Sequence, residues 1–276
     1  MNPLRRAYRV LRSAYLAFEA DDGIPMAGYI AFSGLLAIFP FLIFTVSLTA
    51  VLLGPEQGQE AIDILFQYAP THVAQTLEPV LLDVLQGRGE GLLTFSILLT
   101  IWLASNAFEA FRITFDRAYD VVETRGYILR RIAAIAFVFI GAIVAGILGV
   151  SVIFAPLLLQ AATAWFGITI PGSTAALSFI LGLLVFTLFL LLMHRYLPGR
   201  GMKGKRIWPG VLITVCLWVS GALAFSKYLS MAPSYTITYG TLSGVIVTLV
   251  FFYLSGVAII FGAEINAVLN AADERR

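Results

Sequence analysis

The sequence predicts an all-α polytopic membrane protein with six transmembrane helices and both termini in the cytoplasm. Six apolar stretches are each about long enough to cross a hydrocarbon core roughly 30 Å thick. They occupy residues 27–53, 92–111, 132–160, 175–193, 207–226 and 241–263. Sixteen of the eighteen Lys and Arg residues lie before the first stretch, after the last, or in alternate gaps, in groups of 4, 5, 5 and 2, whereas the other gaps hold 1, 0 and 1. Short basic segments stay cytoplasmic during insertion, which places these four segments inside.

The composition agrees with lipid as the main solvent of this fold. The chain is 59% hydrophobic and 12% charged, with a mean hydropathy of +0.90, whereas soluble domains carry roughly 25% charged residues. Long apolar runs without period-2 alternation predict helices, because lipid leaves no partner for unpaired backbone groups. We therefore expect one transmembrane domain over residues 1–276. The net charge of +2 is explained by topology, so no nucleic-acid partner is expected.

The segment before the first span, within residues 1–26, is predicted to be an interfacial helix. Its apolar residues recur at helical spacing and its arginines lie mostly on the other side, which is typical of a helix on a leaflet with anionic headgroups. Membrane lipids are thus the first expected partner. The apolar positions are Leu4, Tyr8, Leu11, Tyr15 and Phe18, and the arginines are Arg5, Arg6, Arg9 and Arg12.

Pro40 lies near the middle of the first span and predicts a kink or a break. A proline leaves a helical carbonyl without its donor, which membrane helices tolerate where neighbours or water satisfy the freed group. Such helices line substrate sites in some transporters and are packing devices in other proteins, and both interpretations stay open.

The external segment 54–90 is acidic and amphipathic. Its apolar residues repeat at helical spacing on either side of Pro70. It predicts two short helices on the outer surface, either capping the bundle as a lid or lying at the interface.

Small residues in three of the spans predict close contacts between helices. Gly141 and Gly149 belong to a small-residue stripe in the third span. Gly240 and Gly244 form a G-x-x-x-G pattern at the start of the sixth span, and Gly262 lies near its inner end. Glycine lets helix backbones approach closely in membranes, and the third span is the expected neighbour of Gly240 and Gly244.

Polar side chains in or beside the spans are the candidate binding or translocation residues, because ionisable groups at membrane depth are costly and tend to face a cavity or a partner. The candidates are Asn106, Glu109, Arg112, Tyr253, Ser255, Glu264 and Asn266, with Asn270 close by. Those near the inner end could converge on a vestibule that binds a solute or a proton. Alternatively, Glu109 pairs with Arg112, and Glu264 pairs with a basic residue such as Arg195 or Arg131.

Catalytic chemistry finds little support in the sequence. His72 and His194 fall on opposite sides of the predicted membrane, and Cys216 is the single cysteine, so no metal site or disulfide is expected. The chain contains neither a G-x-S-x-G elbow nor a P-loop. We predict no enzymatic activity and no cofactor.

The residues around the sixth span resemble the YihY/BrkB family of bacterial inner-membrane proteins, formerly mislabelled ribonuclease BN. The resemblance is carried by Thr238-Tyr239-Gly240-Thr241-Leu242-Ser243-Gly244, by Tyr253-Leu254-Ser255 and by Gly262-Ala263-Glu264-Ile265-Asn266-Ala267. Further matches are Ala107-Phe108-Glu109-Ala110-Phe111, Arg195-Tyr196-Leu197-Pro198 and Trp208-Pro209-Gly210. The resemblance implies a six-helix protein of the cytoplasmic membrane with both termini inside. It implies no catalytic residues.

Two functional hypotheses follow. The first is a transporter, exporter or lipid translocase that hydrolyses no nucleotide. The second is an envelope scaffold or assembly factor that binds envelope proteins or a second copy of the chain and transports nothing. A transporter should contain a cavity that reaches Asn106, Glu109 and Glu264, whereas a scaffold should be packed shut there.

Overall fold

A computed structural model describes residues 3–68, 82, 90–166, 174–199, 202, 205–231 and 243–274. The regular secondary structure in these residues is helical throughout. The helices are α1 (Pro3–Ala20), α2 (Gly23–Leu53), α3 (Pro55–Tyr68), α4 (Glu90–Ala118), α5 (Tyr127–Phe166), α6 (Thr174–Tyr196), α7 (Trp208–Met231) and α8 (Ser243–Glu274). The predicted all-α class is confirmed, and each of the six predicted spans coincides with one helix.

Four helices in the described residues are long and apolar enough to cross a membrane. They are Tyr127–Ile147, Phe179–Tyr196, Trp208–Met231 and Ser243–Asp273, and α2 adds a shorter apolar segment, Gly23–Ile38. The chain is thus a helical membrane protein by length and composition. Six spans with both termini inside stay a prediction.

Helix α8 holds the bundle together. It packs against α2 and α7, and its far end packs against α1. Helix α2 also packs against α4, and α5 lies between α4 and α6. The main core cluster joins α4 to α8 through apolar side chains such as Phe115, Phe137, Leu190, Met193, Val211 and Ile259.

The small residues of the third predicted span pack against α2 and α4. Ala142, which follows the buried Gly141, lies in a cluster with Ala37 of α2 and Ala104 of α4. The packing around Gly149 is not described, and Gly240 lies outside the described residues. The expected packing of the Gly240–Gly244 pattern on α5 therefore stays a prediction.

Helix α2 begins after a sharp turn and is not divided at Pro40. Asp22 precedes it in the left-handed conformation, with φ 58°, which aspartate tolerates better than most residues. The helix runs unbroken through Pro40 to Leu53, so the predicted break is wrong. Whether Pro40 bends the helix stays a prediction. Gly54 ends it with φ 112°, and α3 follows at once as the first of the two predicted external helices. Residues 69–81, where the second was expected to begin, lie outside the described part.

Helix α1 packs its C-terminal half on the bundle and leaves most of its predicted apolar face exposed. Ala14 and Phe18 are buried, and Phe18 meets Phe261 of α8 edge-on with ring centroids 6.3 Å apart. Tyr8, Leu11 and Tyr15 remain 67%, 46% and 53% exposed. The position of α1 on a lipid leaflet stays a prediction.

Helices α7 and α8 approach each other closely where Gly210 meets Gly262. A Cβ atom placed on Gly210 would overlap the carbonyl oxygen of Gly262, and one placed on Gly262 would overlap the hydroxyl of Thr214. Thr214 is buried and donates to the carbonyl of Ala258 at 3.2 Å. Only glycine fits at either position, so this crossing fixes the relative depth of the two helices.

Candidate functional site

A cavity of about 840 Å³ opens at the end of the bundle that is predicted to be cytoplasmic. This volume lies within the range of roughly 300–1,000 Å³ that is usual for ligand sites. Its walls come from α1, the turn before α2, the end of α4 with the loop that follows, and the last turns of α8. The lining residues are Ser13, Ala17, Asp21, Arg117, Ala118, Tyr119, Asp120, Val121, Val122, Met202, Lys205, Glu264, Ala267, Val268, Asn270 and Ala271.

Two carboxyl groups meet in this cavity. Glu264 of α8 is 1% exposed, and neither of its carboxyl oxygens has a hydrogen-bond donor among the described residues. The carboxyl group of Asp21 lies within hydrogen-bonding reach of it. Two ionised carboxylates offer no donor to each other, so this contact becomes a hydrogen bond only when one of them carries a proton. Burial raises the pKa of Asp21 above its ordinary value.

Basic side chains stand near this acidic pair without contacting Glu264. Arg117 pairs with Asp22 at 3.1 Å and is 44% exposed, and its charge acts on Asp21. Lys205 lines the opposite wall. The cavity is therefore acidic where Glu264 is buried and mixed in charge elsewhere on its lining.

A chain of buried polar groups runs from the cavity wall into the bundle. The hydroxyl of Tyr119 lies 2.6 Å from Nδ1 of the fully buried His194, and Nδ2 of Asn266 donates to the same hydroxyl at 3.4 Å. Burial raises the pKa of the Tyr119 phenol, against a smaller opposing effect of the hydrogen bond from Asn266. The phenol therefore keeps its proton, and the histidine tautomer decides which of the two groups donates in this hydrogen bond.

Asn266 and Asn270, both on α8, form hydrogen bonds with the backbone at the start of α7. Oδ1 of Asn266 accepts from the backbone N–H of Gly210 at 2.7 Å, and its Nδ2 donates to the carbonyl of Ile207 at 2.8 Å. Asn270 accepts from the N–H of Arg206 and donates to the carbonyl of the same residue, both at 2.8 Å. These contacts satisfy backbone groups that a helix start leaves unpaired, which is a structural role.

A separate ion-pair network lies at the inner end of α4. The buried Arg112 contacts Glu109 at 2.7 Å, Asp116 at 2.5 Å and Glu123 at 3.1 Å. Oδ1 of Asp116 accepts from the N–H of Gly199 at 2.6 Å. The network therefore joins α4 to the loop that follows it and to the connection between α6 and α7.

The loop after α4 reaches this network through a tight turn. Asp120 is left-handed, with φ 49°. Val121 donates to the carbonyl of Asp116 and Asp120 donates to that of Arg117, which is the Schellman pattern of a helix C-terminus. This turn brings Glu123 back to Arg112.

Glu123 should make folding stability depend on pH. Partial burial opposes its ionisation, but hydrogen bonds and charge from Arg125, together with the charge of Arg112, lower its pKa from 4.5 to about 2. A carboxyl group with a depressed native pKa stabilises the fold above its ordinary pKa, and this contribution is lost as pH falls through the native value. We expect the melting temperature to drop between pH 4.5 and 2 by less in Glu123→Gln than in the unaltered protein. Equal drops, measured in detergent, would contradict the assigned ion pairs.

Nearly all of the chain matches one protein family. A family model described as Virulence factor BrkB covers residues 14–276. The chain belongs to the BrkB family. It is 31% identical to the putative ribonuclease-like protein YfkH of Bacillus subtilis over 94% of both chains. It is 26% identical to a UPF0761 membrane protein of Verminephrobacter eiseniae over 91% of this chain and 60% of that one. A UPF0761 membrane protein of Coxiella burnetii is 33% identical over 36% of this chain and 34% of its own. No solved structure matches.

The structure separates the candidate residues of this BrkB-family protein into distinct groups. Glu264 lines the cavity, whereas Glu109 and Arg112 belong to the ion-pair network. Asn106 accepts from Arg131 at 2.8 Å, and the Arg131 guanidinium stacks on Trp102 at 3.5 Å. The predicted convergence of all these groups on one vestibule is therefore wrong.

No arginine pairs with Glu264 among the described residues, so the predicted pairing with Arg195 or Arg131 is wrong. Arg131 is held by Asn106 and by the carbonyl of Trp102. Arg195 donates to the carbonyl of Met202. The predicted pairing of Glu109 with Arg112 is observed.

The two mid-depth candidates on α8 contact neighbouring helices. Ser255 accepts from Nε1 of Trp218 at 3.0 Å and donates to the carbonyl of Phe251 at 2.8 Å. Tyr253 packs beside Ala27 and Ile30 of α2. Neither lines the cavity, so a binding role for them stays a prediction.

Asp21 is the cavity residue that sequence reasoning missed as a candidate. It lies in the turn Asp21-Asp22-Gly23, just outside the first apolar stretch, whereas the predicted candidates lie within or beside the second and sixth stretches. An acidic residue directly before an apolar stretch is the feature of the sequence that could have indicated Asp21. Only the packing of α1 on α8 reveals its partner.

Proposed function

We propose that this BrkB-family protein is a lipid translocase of the bacterial cytoplasmic membrane, that it hydrolyses no nucleotide, and that the cavity around Glu264 is its inner vestibule. The observation that carries this proposal is a buried carboxyl group without a donor facing a cavity of about 840 Å³. Buried polar groups are normally hydrogen-bonded, and an exception indicates a functional position.

A lipid is the favoured substrate class because α1 forms part of the cavity wall. Ser13 and Ala17 of α1 line the cavity, while Tyr8 and Tyr15 of the same helix are exposed. A helix lying on the inner leaflet brings the headgroup layer beside the cavity. Polar headgroup atoms would meet the acidic and basic lining, and acyl chains would remain in the membrane.

The scaffold hypothesis is supported by a different observation. Glu109 is tied to Arg112 and Asn106 to Arg131, as expected for a bundle that is packed shut at these positions. The open cavity at Glu264 favours the translocase. Envelope proteins or a second copy of the chain remain the partners that the scaffold hypothesis would require.

The proposal is tested by lipid translocation in reconstituted vesicles. The full chain is placed in vesicles that contain NBD-labelled phosphatidylethanolamine, an outward or inward pH gradient is imposed, and dithionite is added outside to bleach exposed label. We expect protein-containing vesicles to lose more fluorescence than protein-free vesicles, because the label crosses between leaflets. Glu264→Gln should reduce this excess at least tenfold.

The matched control is Glu60→Gln, the same chemical change at an exposed position of α3. It should leave translocation unchanged. Bleaching equal to that of protein-free vesicles under both gradients would overturn the lipid proposal and favour the scaffold. If Glu264→Gln leaves translocation unchanged, the cavity around Glu264 is not the vestibule of the translocase.

A further inference from the structure

We propose that Asp21 and Glu264 bind one proton between them, and that this proton is the ion exchanged during transport. The exchange of this proton during transport rests on the proposed function. The binding of the proton does not, since a bound proton can be observed without any transport. It names the coupling ion and the two groups that carry it.

The first step of the argument is geometric. Glu264 is buried, both of its oxygens lack a donor among the described residues, and the carboxyl group of Asp21 lies within hydrogen-bonding reach of it. A single proton placed between the two groups converts a repulsive contact into a hydrogen bond and satisfies the buried oxygen. Neither a solute nor a rearrangement is needed for this.

The second step concerns the charges that surround the pair. The loop after α4 contributes Tyr119, whose phenol stays neutral, and Asp120, whose charge opposes ionisation of Asp21. Arg117 at the end of α4 favours ionisation of Asp21 but is already paired with Asp22. Lys205, which has a partner of its own, lines the wall on the side before α7. No described cation contacts Glu264.

The third step is access. Both carboxyl groups line the cavity, and water in the cavity can accept the proton. On release the O–H bond breaks, its electron pair stays on the carboxylate oxygen, and the proton passes to water. The pair therefore exchanges protons with one side of the membrane only while the cavity opens to that side.

Release of the proton should loosen the contact between α1 and α8. Asp21 follows α1 directly, and Glu264 lies on α8, so two negative charges would then face each other across the wall of the cavity. Protonation holds this wall closed and ionisation favours its opening. This is the movement that would expose the cavity to lipid.

The test is infrared difference spectroscopy of the full chain in lipid nanodiscs during a pH titration. The carbonyl stretch of a protonated carboxylic acid is separate from carboxylate bands. We expect a protonated-acid band that persists at neutral pH, disappears at higher pH, and is absent in both Glu264→Gln and Asp21→Asn. Glu60→Gln should retain it. A band that persists in both cavity variants, or no such band in the unaltered protein, would overturn the proton site.

The coupling is tested separately in the vesicle assay. A pH gradient should change the initial rate of translocation at least threefold in the unaltered protein, and Asp21→Asn should abolish this dependence. Translocation that ignores the gradient would overturn the coupling and leave the translocase standing. Absence of translocation together with a titrating acid band would overturn the translocase and leave the proton site.

Discussion

Replacement of Arg112 by methionine should lower the stability of the folded protein by about 3–5 kcal/mol, the usual cost of removing one partner from a buried ion pair. Arg112 is 5% exposed and contacts Glu109, Asp116 and Glu123. Without it, three carboxylates are left together with only Arg125, which pairs with Glu123 at 2.8 Å. Thermal unfolding in detergent should show a much lower midpoint. Membranes should also contain less folded protein.

The control for this substitution is Arg206→Met. The Arg206 side chain pairs with Asp273 at 3.4 Å, and both partners are about half exposed. Exposed pairs contribute about 0–1 kcal/mol, so this variant should unfold near the temperature of the unaltered protein. Equal effects of the two substitutions would mean that the Arg112 network does not form.

Gly210→Ala should be the second severe substitution, because the new methyl group has no space. Its position overlaps the carbonyl oxygen of Gly262 and lies within 2.6 Å of the Asn266 side chain. Backbone atoms cannot yield as a flexible side chain does, so α7 and α8 must separate. We expect a loss of stability at or above the upper end of the roughly 1–3 kcal/mol typical of overpacking.

Helix α7 supplies the matched control for this second substitution. A Cβ atom on Gly221 would meet nothing within 4 Å, and alanine is the better helix former. Gly221→Ala should therefore leave the midpoint of thermal unfolding unchanged or raise it slightly. A Gly210→Ala variant as stable as Gly221→Ala would show that the two helices do not cross at Gly210 and Gly262.

Much of the fold could be predicted from the sequence because lipid imposes strong rules. Apolar length predicted the stretches in which α2 and α4 to α8 form, and the heptad-like spacing from Leu4 to Phe18 predicted α1. Of the kink or break predicted at Pro40, the break does not occur, because a membrane helix retains its hydrogen bonds on either side of a proline more readily than a soluble helix does. The neighbour of Gly240 and Gly244 stays a prediction, since small residues predict a close contact but not which helix provides it.

The site was predicted in part. Spacing of three and four along one helix correctly paired Glu109 with Arg112. It could not show that Glu123 joins them, because that contact depends on the left-handed turn at Asp120. The position of Glu264 on an inner helix end was evident, whereas its partner Asp21 comes from the opposite end of the chain and meets it only through tertiary packing.

The central claim is that the cavity beside Glu264 admits a lipid, and a structure of the full chain in nanodiscs of native bacterial lipid tests it most directly. We predict headgroup density inside the cavity against Asp21 and Glu264, with acyl chains leaving past α1. A map with α1 packed against α8, no density beside Glu264, and Glu264 held by a side chain of the protein would contradict the claim.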